Sequence, residues 1–254
     1  MDECHHIPAF SFESVLRKVR AKYIVGLTAT PTRKDGHHPI IHMQCGPIRH
    51  RVSERETRRR SKVSHRVILR ETSTAWSGDG EPSIHELYNL IMEDDRRNGM
   101  IVEDIRGCLE RGKSPLVLTE RQRHLRILAE EIERLTDNLV VLHGRLGRKK
   151  RREAMEHLRA IQDDKERVIL STGRYIGEGF DDSRLDTLFL TMPVSWKGTI
   201  QQYAGRLHRQ HHSKNEVIIY DYVDTGIDMA RRMFERRRKG YSSIGYNVTP
   251  PLDF

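Results

Sequence analysis

Val168-Ile169-Leu170-Ser171-Thr172-Gly173-Arg174-Tyr175-Ile176-Gly177-Glu178-Gly179-Phe180-Asp181 begins as a short β-branched and leucine run and passes directly into a loop carrying three glycines. An apolar run this short suits a parallel strand buried on both faces. The glycines let backbone amides approach a ligand closely. Thr172 is then available to a backbone phosphate and Asp181 to a ribose hydroxyl. Open α/β sheets hold their ligands outside the carboxyl ends of their strands, where this loop falls.

Similar short runs recur outward from it, at residues 23–27, 116–118, 139–142, 187–190 and 217–220. Between them lie helical patterns. Ile84, Leu87, Tyr88, Ile91 and Met92 share one helix face, as do Leu125, Leu128, Ile132 and Leu135. Strand and helix in alternation predict βαβ units, hence an α/β fold with a parallel sheet covered by helices on both sides. Polar and basic residues interrupt the pattern over 49–66, and Trp76 to Pro82 is rich in turn residues. The expected organisation is therefore a domain remnant at 1–50, a linker or surface excursion at 51–82, a nearly whole domain at 83–227, and a basic tail at 228–254. The tail should start as a helix, lose its period at Gly240 and fray toward Pro250-Pro251.

The chain has 254 residues, 36% hydrophobic and 32% charged, with a net charge of +9. Three clusters hold much of the basic excess: Arg55 to Lys62, Arg145 to Arg152 and Arg231 to Lys239. One such cluster is as readily a solvated helix face as a binding surface. Three on one chain point to a polyanionic partner, nucleic acid foremost. Three scattered cysteines without paired spacing argue against a disulfide framework. No apolar run is long enough to span a bilayer, and the first residues lack a signal-peptide pattern. The expected location is the cytoplasm.

Three further segments carry chemistry. Asp2-Glu3-Cys4-His5 offers an acidic pair in which Asp2 can serve Mg²⁺ and Glu3 can orient a water. Gly26-Leu27-Thr28-Ala29-Thr30-Pro31 places two threonines at the carboxyl end of the predicted strand 23–27, where Pro31 ends it. Gln202-Tyr203-Ala204-Gly205-Arg206-Leu207-His208-Arg209 puts Arg206 and Arg209 on one helix face, able to reach one phosphoryl group. Taken singly, each also reads as ordinary surface. Their order along the chain is what gives them weight.

In wording and order these segments resemble the superfamily 2 helicases and translocases of the DEAD/DEAH type, and the resemblance covers nearly the whole chain. It implies a second RecA-like domain preceded by a truncated remnant of the first, with ATP and Mg²⁺ as cofactors. It implies Asp2 for Mg²⁺, Glu3 for the hydrolytic water, and His5, Thr28 and Thr30 for coupling ATP state to domain closure. Gly179 and Asp181 would touch nucleotide, Arg206 and Arg209 the γ-phosphate, and Gln202 would bridge toward the Asp2-Glu3-Cys4-His5 segment or the phosphates. Thr172 and Gly173 would hold nucleic-acid phosphates. The wording of residues 26–36 is closer to the DNA-repair and restriction branch, which favours DNA over RNA.

The family also needs a phosphate-cradling loop. Gly107-Cys108-Leu109-Glu110-Arg111-Gly112-Lys113-Ser114 matches that pattern in letters only. A working loop follows a strand and opens a helix. Here Ile101, Ile105 and Cys108 trace a helix leading in, and Leu116-Val117-Leu118 a strand leading out, so Gly112 reads as a helix stop. The expectation is the C-terminal part of a motor that does not hydrolyse ATP alone, its phosphate loop coming from elsewhere, such as a separate polypeptide. A non-catalytic nucleic-acid or docking module, or a fragment with no activity of its own, are the alternatives.

Further candidates for nucleic acid are His143-Gly144, at a strand end before the basic run 145–152, and Thr119 with Arg121, at another strand end. Zinc at His37, His38, His42 and Cys45 is disfavoured by irregular spacing. Trp76 and Trp196 read as bases' stacking partners or, more commonly, as core edges.

Overall fold

The structure, a computed structural model, describes residues 1–2, 4–8, 10–16, 18–28, 36, 39–51, 63–176, 180, 182–194, 203–209, 211–212 and 214–249. The chain divides into two compact units, Met1–Arg60 and Ser61–Phe254.

The larger unit is built on a seven-stranded sheet of order β3-β4-β2-β5-β6-β1-β7. Its strands are β1 (Ser64–Ala75), β2 (Pro115–Thr119), β3 (Leu139–Leu142), β4 (Val168–Thr172), β5 (Thr187–Leu190), β6 (Glu216–Gly226) and β7 (Asn247–Thr249). Every pairing is parallel. All carboxyl ends therefore lie on one edge.

Both faces of the sheet are dry, which is why the central strands read as unbroken apolar runs. Leu116 and Leu118 face one layer with Val140, Ile169, Leu188 and Ile219, covered by α6 (Arg148–Ala160), α7 (Gly173–Ile176), the helical residues 203–207 and α8 (Asp228–Ile244). Val117 faces the other, with Val168, Leu170, Phe189 and Ile218, covered by α4 (Asp95–Glu110) and α5 (Gln122–Ile132). A capping box at Ser83 and Glu86 starts α3 (Ile84–Glu93), and the Asp94 side chain caps α4 through the Arg97 amide. This is a RecA-like α/β fold.

Two sequence expectations are corrected. Residues 64–75, expected within a linker, form the longest strand of the sheet, paired with β6 and β7. Their polar side chains hid them. Arg66 pairs with Glu216 at 2.7 Å, Arg70 with Asp104 at 2.9 Å, and the Thr72 hydroxyl donates to Asp224 at 2.6 Å. The expected tail is likewise structural. α8 runs through Gly240 to Ile244, buries Tyr241, and stops at Gly245 in the left-handed region, φ 73°. β7 then extends the sheet, while residues 250–254 lie outside the described residues.

The decoy phosphate loop is a helix stop. Gly112 has φ 65°, its N–H donates to the Leu109 carbonyl, and the Lys113 N–H donates to the Cys108 carbonyl. That double bond pattern closes a helix carboxyl end.

The smaller unit contains a 3-10 turn (Cys4–His6), α1 (Phe10–Leu16) and α2 (Pro39–Cys45), packed around Cys4, Ile7 and Ile41. Residues 23–27, expected as a strand, carry no sheet among the described residues. Among the described residues their backbone bonds the amino-terminal segment: Met1 N to Val25 O at 2.6 Å, Leu27 N to Met1 O at 2.8 Å, Cys4 N to Leu27 O at 2.9 Å. Tyr23, Val25 and Leu27 remain 78%, 65% and 60% exposed. Among the described residues this segment has one short neighbour and an uncovered apolar face, too little for a sheet. Among the described residues no helix is long and apolar enough to cross a membrane.

Candidate nucleotide and nucleic-acid site

In the smaller unit, the 3-10 turn brings His5 back onto the extended segment. His5 Nδ1 and Thr28 Oγ1 lie 2.9 Å apart, joining two of the predicted coupling residues. Asp2 is exposed one turn before, and Cys4 beside it is buried. Gly26 makes this approach possible. A Cβ there would stand 2.9 Å from Cys45 Sγ and 3.0 Å from Cys4 Sγ. Glu3 and Thr30 lie outside the described residues.

In the larger unit, the order β3-β4-β2 sets the ends of three neighbouring strands side by side. His143 and Gly144 follow β3, Thr172 and Gly173 close β4, and Thr119 to Arg121 close β2. The sheet thus assembles on one edge all six residues expected to face nucleic acid.

Thr119 is not one that can touch a ligand. It is 1% exposed, and its hydroxyl is committed to His124 Nδ1 at 2.9 Å and the Arg121 amide at 3.4 Å. The proton positions follow from the chain of partners. The Asn98 amide nitrogen donates to the Met92 carbonyl, so Asn98 Oδ1 accepts from His124 Nε2, and His124 Nδ1 accepts from Thr119. Burial, reinforced by the Arg97 charge, drives the His124 pKa down to about 3 and keeps the ring neutral. Thr119 therefore shapes the loop, and Arg121 is the group it presents. The Arg121 guanidinium lies 4.7 Å over the Tyr88 ring and 3.5 Å from His85.

His143 is half-buried. Its Nδ1 is shielded from water without a hydrogen-bond partner, and burial together with Arg145 lowers its pKa. The Tyr175 hydroxyl is also buried and unpartnered, with Arg151 stacked 4.8 Å over its ring. Next to them α6 opens at Gly147 without a side-chain cap, on five consecutive exposed bases, Arg148 to Arg152. Positive charge at a helix amino end is unfavourable in itself; an anion there would relieve it.

The arginine turn, residues 203–209, is held from several sides. Arg206 is half-buried and Arg209 exposed. Lys214, 7% exposed, donates from Nζ to the Leu207 and Arg209 carbonyls, both at 2.8 Å. Burial lowers its pKa, opposed by Asp186 and Asp182. His208 Nε2 meets the Tyr246 hydroxyl at 2.9 Å. Tyr203 is buried beside the Glu120 carboxylate; burial, then that carboxylate, raises its pKa. A Cβ at Gly173 would overlap the Tyr203 hydroxyl and come within 2.5 Å of Glu120. Gln202, Gly179 and Asp181 lie outside the described residues. Between the last two, Phe180 is 2% exposed, and Asp182 pairs with buried Arg167 at 2.6 Å.

Sequence reasoning missed Glu120, Tyr203, Lys214 and Tyr246. Tyr203 alone carried a signal, lying inside the arginine segment. The third basic cluster proves partly internal. Arg237 is buried, bidentate on Asp221, which also accepts from Tyr241. Among the described residues no group of His, Cys, Asp and Glu could hold a metal ion by itself.

Comparison with known proteins agrees with this architecture. The helicase conserved C-terminal domain matches residues 99–211, and the type III restriction enzyme res subunit matches residues 1–33. Together the matches span more than half of the chain. The "Putative ATP-dependent RNA helicase L396" of Acanthamoeba polyphaga mimivirus is 26% identical over 260 residues, 98% of this chain and 47% of that protein. The DNA 3'-5' translocase XPB2 of Sulfurisphaera tokodaii is 40% identical over 55 residues, 22% of this chain and 12% of that protein. The solved structure of S. cerevisiae Dbp5 bound to RNA and ADP BeF3 shares the fold with a TM-score of 0.63 at 11% identity, over 98% of this chain and 58% of that one. The chain spans about half the length of the curated relatives it matches across most of its own length. It belongs to the superfamily 2 helicases, as their C-terminal part.

Proposed function

We propose that the chain is the C-terminal part of an ATP-driven motor that moves along or separates nucleic-acid strands, DNA in preference to RNA. The observation that carries this reading is the shared sheet edge, where Arg121, His143, Gly144, Thr172 and Gly173 neighbour one another and the arginine turn packs against Gly173 through Tyr203. ATP and Mg²⁺ would lie in a cleft between two RecA-like domains. The donor types fit them: a carboxylate at Asp2 for a hard cation, and guanidiniums at Arg206 and Arg209 for phosphoryl oxygens. Glu3 would orient water, Gly179, Asp181 and Gln202 would contact nucleotide, and His5, Thr28 and Thr30 would couple its state to closure. The His5–Thr28 contact supports that last role. The XPB2 segment supports DNA; RNA is the direction in which the mimivirus relative and Dbp5 point. A cytoplasmic setting suits the three free thiols.

The chain alone binds nucleic acid and does not turn over ATP, because its sole phosphate-loop pattern is a helix stop. Fluorescence anisotropy with matched single-stranded DNA and RNA, titrated with salt, measures the first property. A steady-state ATPase assay measures the second. Turnover that disappears in Glu3→Gln would refute it.

A second reading is a docking module, completed by a polypeptide that supplies the phosphate loop. The uncovered apolar side chains of Tyr23, Val25 and Leu27 favour it. Restored ATPase on adding a separately produced phosphate-loop domain of a related helicase is its test.

A further inference from the structure

The ends of β2 and β4 are paired residue by residue, Thr119 with Thr172. Glu120 and Gly173 therefore leave the sheet together, one step beyond the last paired residues. Into the space between them comes the Tyr203 side chain, 4% exposed and part of the main core. Its hydroxyl lies beside the Glu120 carboxylate. It also sits where any side chain at residue 173 would have to go, and Glu120 Oε1 crowds that same spot. Three loops thus share one contact, and glycine is the residue that leaves room for it.

Tyr203 opens the arginine turn. Arg206 is three residues on, the next position along the same helix face. The far end of the turn is fixed separately, by Lys214 on the carbonyls of Leu207 and Arg209 and by Tyr246 on His208. A short helical piece gripped at both ends moves as one body.

We infer that the meeting of Tyr203 and Glu120 over Gly173 is a positioning contact that carries occupancy of the β2 and β4 loops to Arg206 and Arg209. It rests on the nucleic-acid reading above. A phosphate held by Thr172 and the Gly173 amide would press on a place where the arginine turn touches the sheet edge. Arg121, one residue beyond Glu120, would report a second phosphate to the same contact. Neither Tyr203 nor Glu120 is a catalytic residue; each acts through the arginines.

The test uses the whole chain and a short oligo-dT or oligo-rU strand. Oligonucleotide binding is followed by anisotropy, and amide hydrogen exchange at residues 203–209 by mass spectrometry. In the wild type, saturation with oligonucleotide should slow exchange at 203–209. Tyr203→Phe keeps the ring in the core and should bind with nearly unchanged affinity, yet lose that response. Glu120→Gln keeps an acceptor oxygen and should keep the response; Glu120→Ala should lose it. A purely packing role for Tyr203 predicts the opposite, a full response in Tyr203→Phe, and that result overturns the inference. If Tyr203→Phe does not fold, the Glu120 pair decides, and equal responses in Gln and Ala overturn it. A wild type that binds neither strand overturns both this inference and the nucleic-acid reading. A wild type that binds without any change at 203–209 overturns the inference alone.

Discussion

Arg97 and Asp224 form an ion pair at 2.8 Å with both side chains fully buried. Arg97 also donates to the Thr191 carbonyl at 2.7 Å, and the Thr72 hydroxyl donates to Asp224 at 2.6 Å. One buried knot therefore ties α4, β1 and β6 to the residue just past β5. Removing a single partner of such a pair leaves a charge without water or counter-charge, which costs about 3–5 kcal/mol. Arg97→Met should lower the unfolding free energy by that amount in urea titration. Removing both charges, as Arg97→Met with Asp224→Leu, should recover much of the loss, because the knot's main energetic liability is an unpaired partner.

His124 makes stability fall in mild acid. The unfolded chain takes up the imidazole proton near the ordinary value of 6.5, while the folded ring, at about 3, refuses it. The folded pKa is depressed, so the contribution is complete above pH 6.5 and shrinks as pH falls through the window down to about 3. At pH 5 the loss relative to pH 7 should be about 2 kcal/mol. Denaturation midpoints across that range measure it. His124→Gln, which can still donate to Asn98 and accept from Thr119, should flatten the slope.

The central strands were legible because both faces of the sheet are covered, so residues 116–118, 139–142, 168–170, 187–190 and 217–220 had to be apolar throughout. β1 was not legible. Its polar residues are satisfied by Glu216, Asp104 and Asp224, partners that only the folded chain brings near. α8 looked finished at Gly240 because a helical glycine usually marks an end. Here Gly240 is buried within the packed face, and Gly245 is the stop. In the site, the family resemblance grouped His5 with Thr28, and the fold brings the two into contact. Spacing along the chain could not distinguish a hydroxyl that faces a phosphate from one that serves its own loop, and Thr119 is the second kind. Glu120 and Lys214 act through contacts across elements, which no local pattern records.

Gly26 should resist replacement by the smallest side chain. The methyl of Gly26→Ala would stand 2.9 Å from Cys45 Sγ and 3.0 Å from Cys4 Sγ, inside any normal contact distance. Cys4 is 3% exposed and cannot retreat into solvent, so the strain falls on the turn that carries His5. Overpacking of this kind costs about 1–3 kcal/mol. Limited proteolysis of residues 1–50 should quicken in Gly26→Ala and slow again when Cys45→Ala is added to make room. Equal cleavage rates in wild type and Gly26→Ala would contradict the close approach.

The two basic helices should differ in what they contribute to nucleic-acid affinity. On α8, Arg231 and Arg238 pair with Asp228 and Glu235 of the same helix, Arg232 pairs with Glu81, and Arg237 is spent inside on Asp221. On α6, Arg148, Lys149 and Lys150 are exposed at the uncapped amino end beside His143. Each phosphate neutralised on a single strand contributes about 0.7 to the slope of log affinity against log salt. Lys149→Gln with Lys150→Gln should weaken binding to every sequence alike and reduce that slope by about one unit or more. Arg231→Gln with Arg238→Gln should change it little, since their charges already face carboxylates. Equal losses from the two helices would show that net charge alone, and not the sheet edge, governs binding.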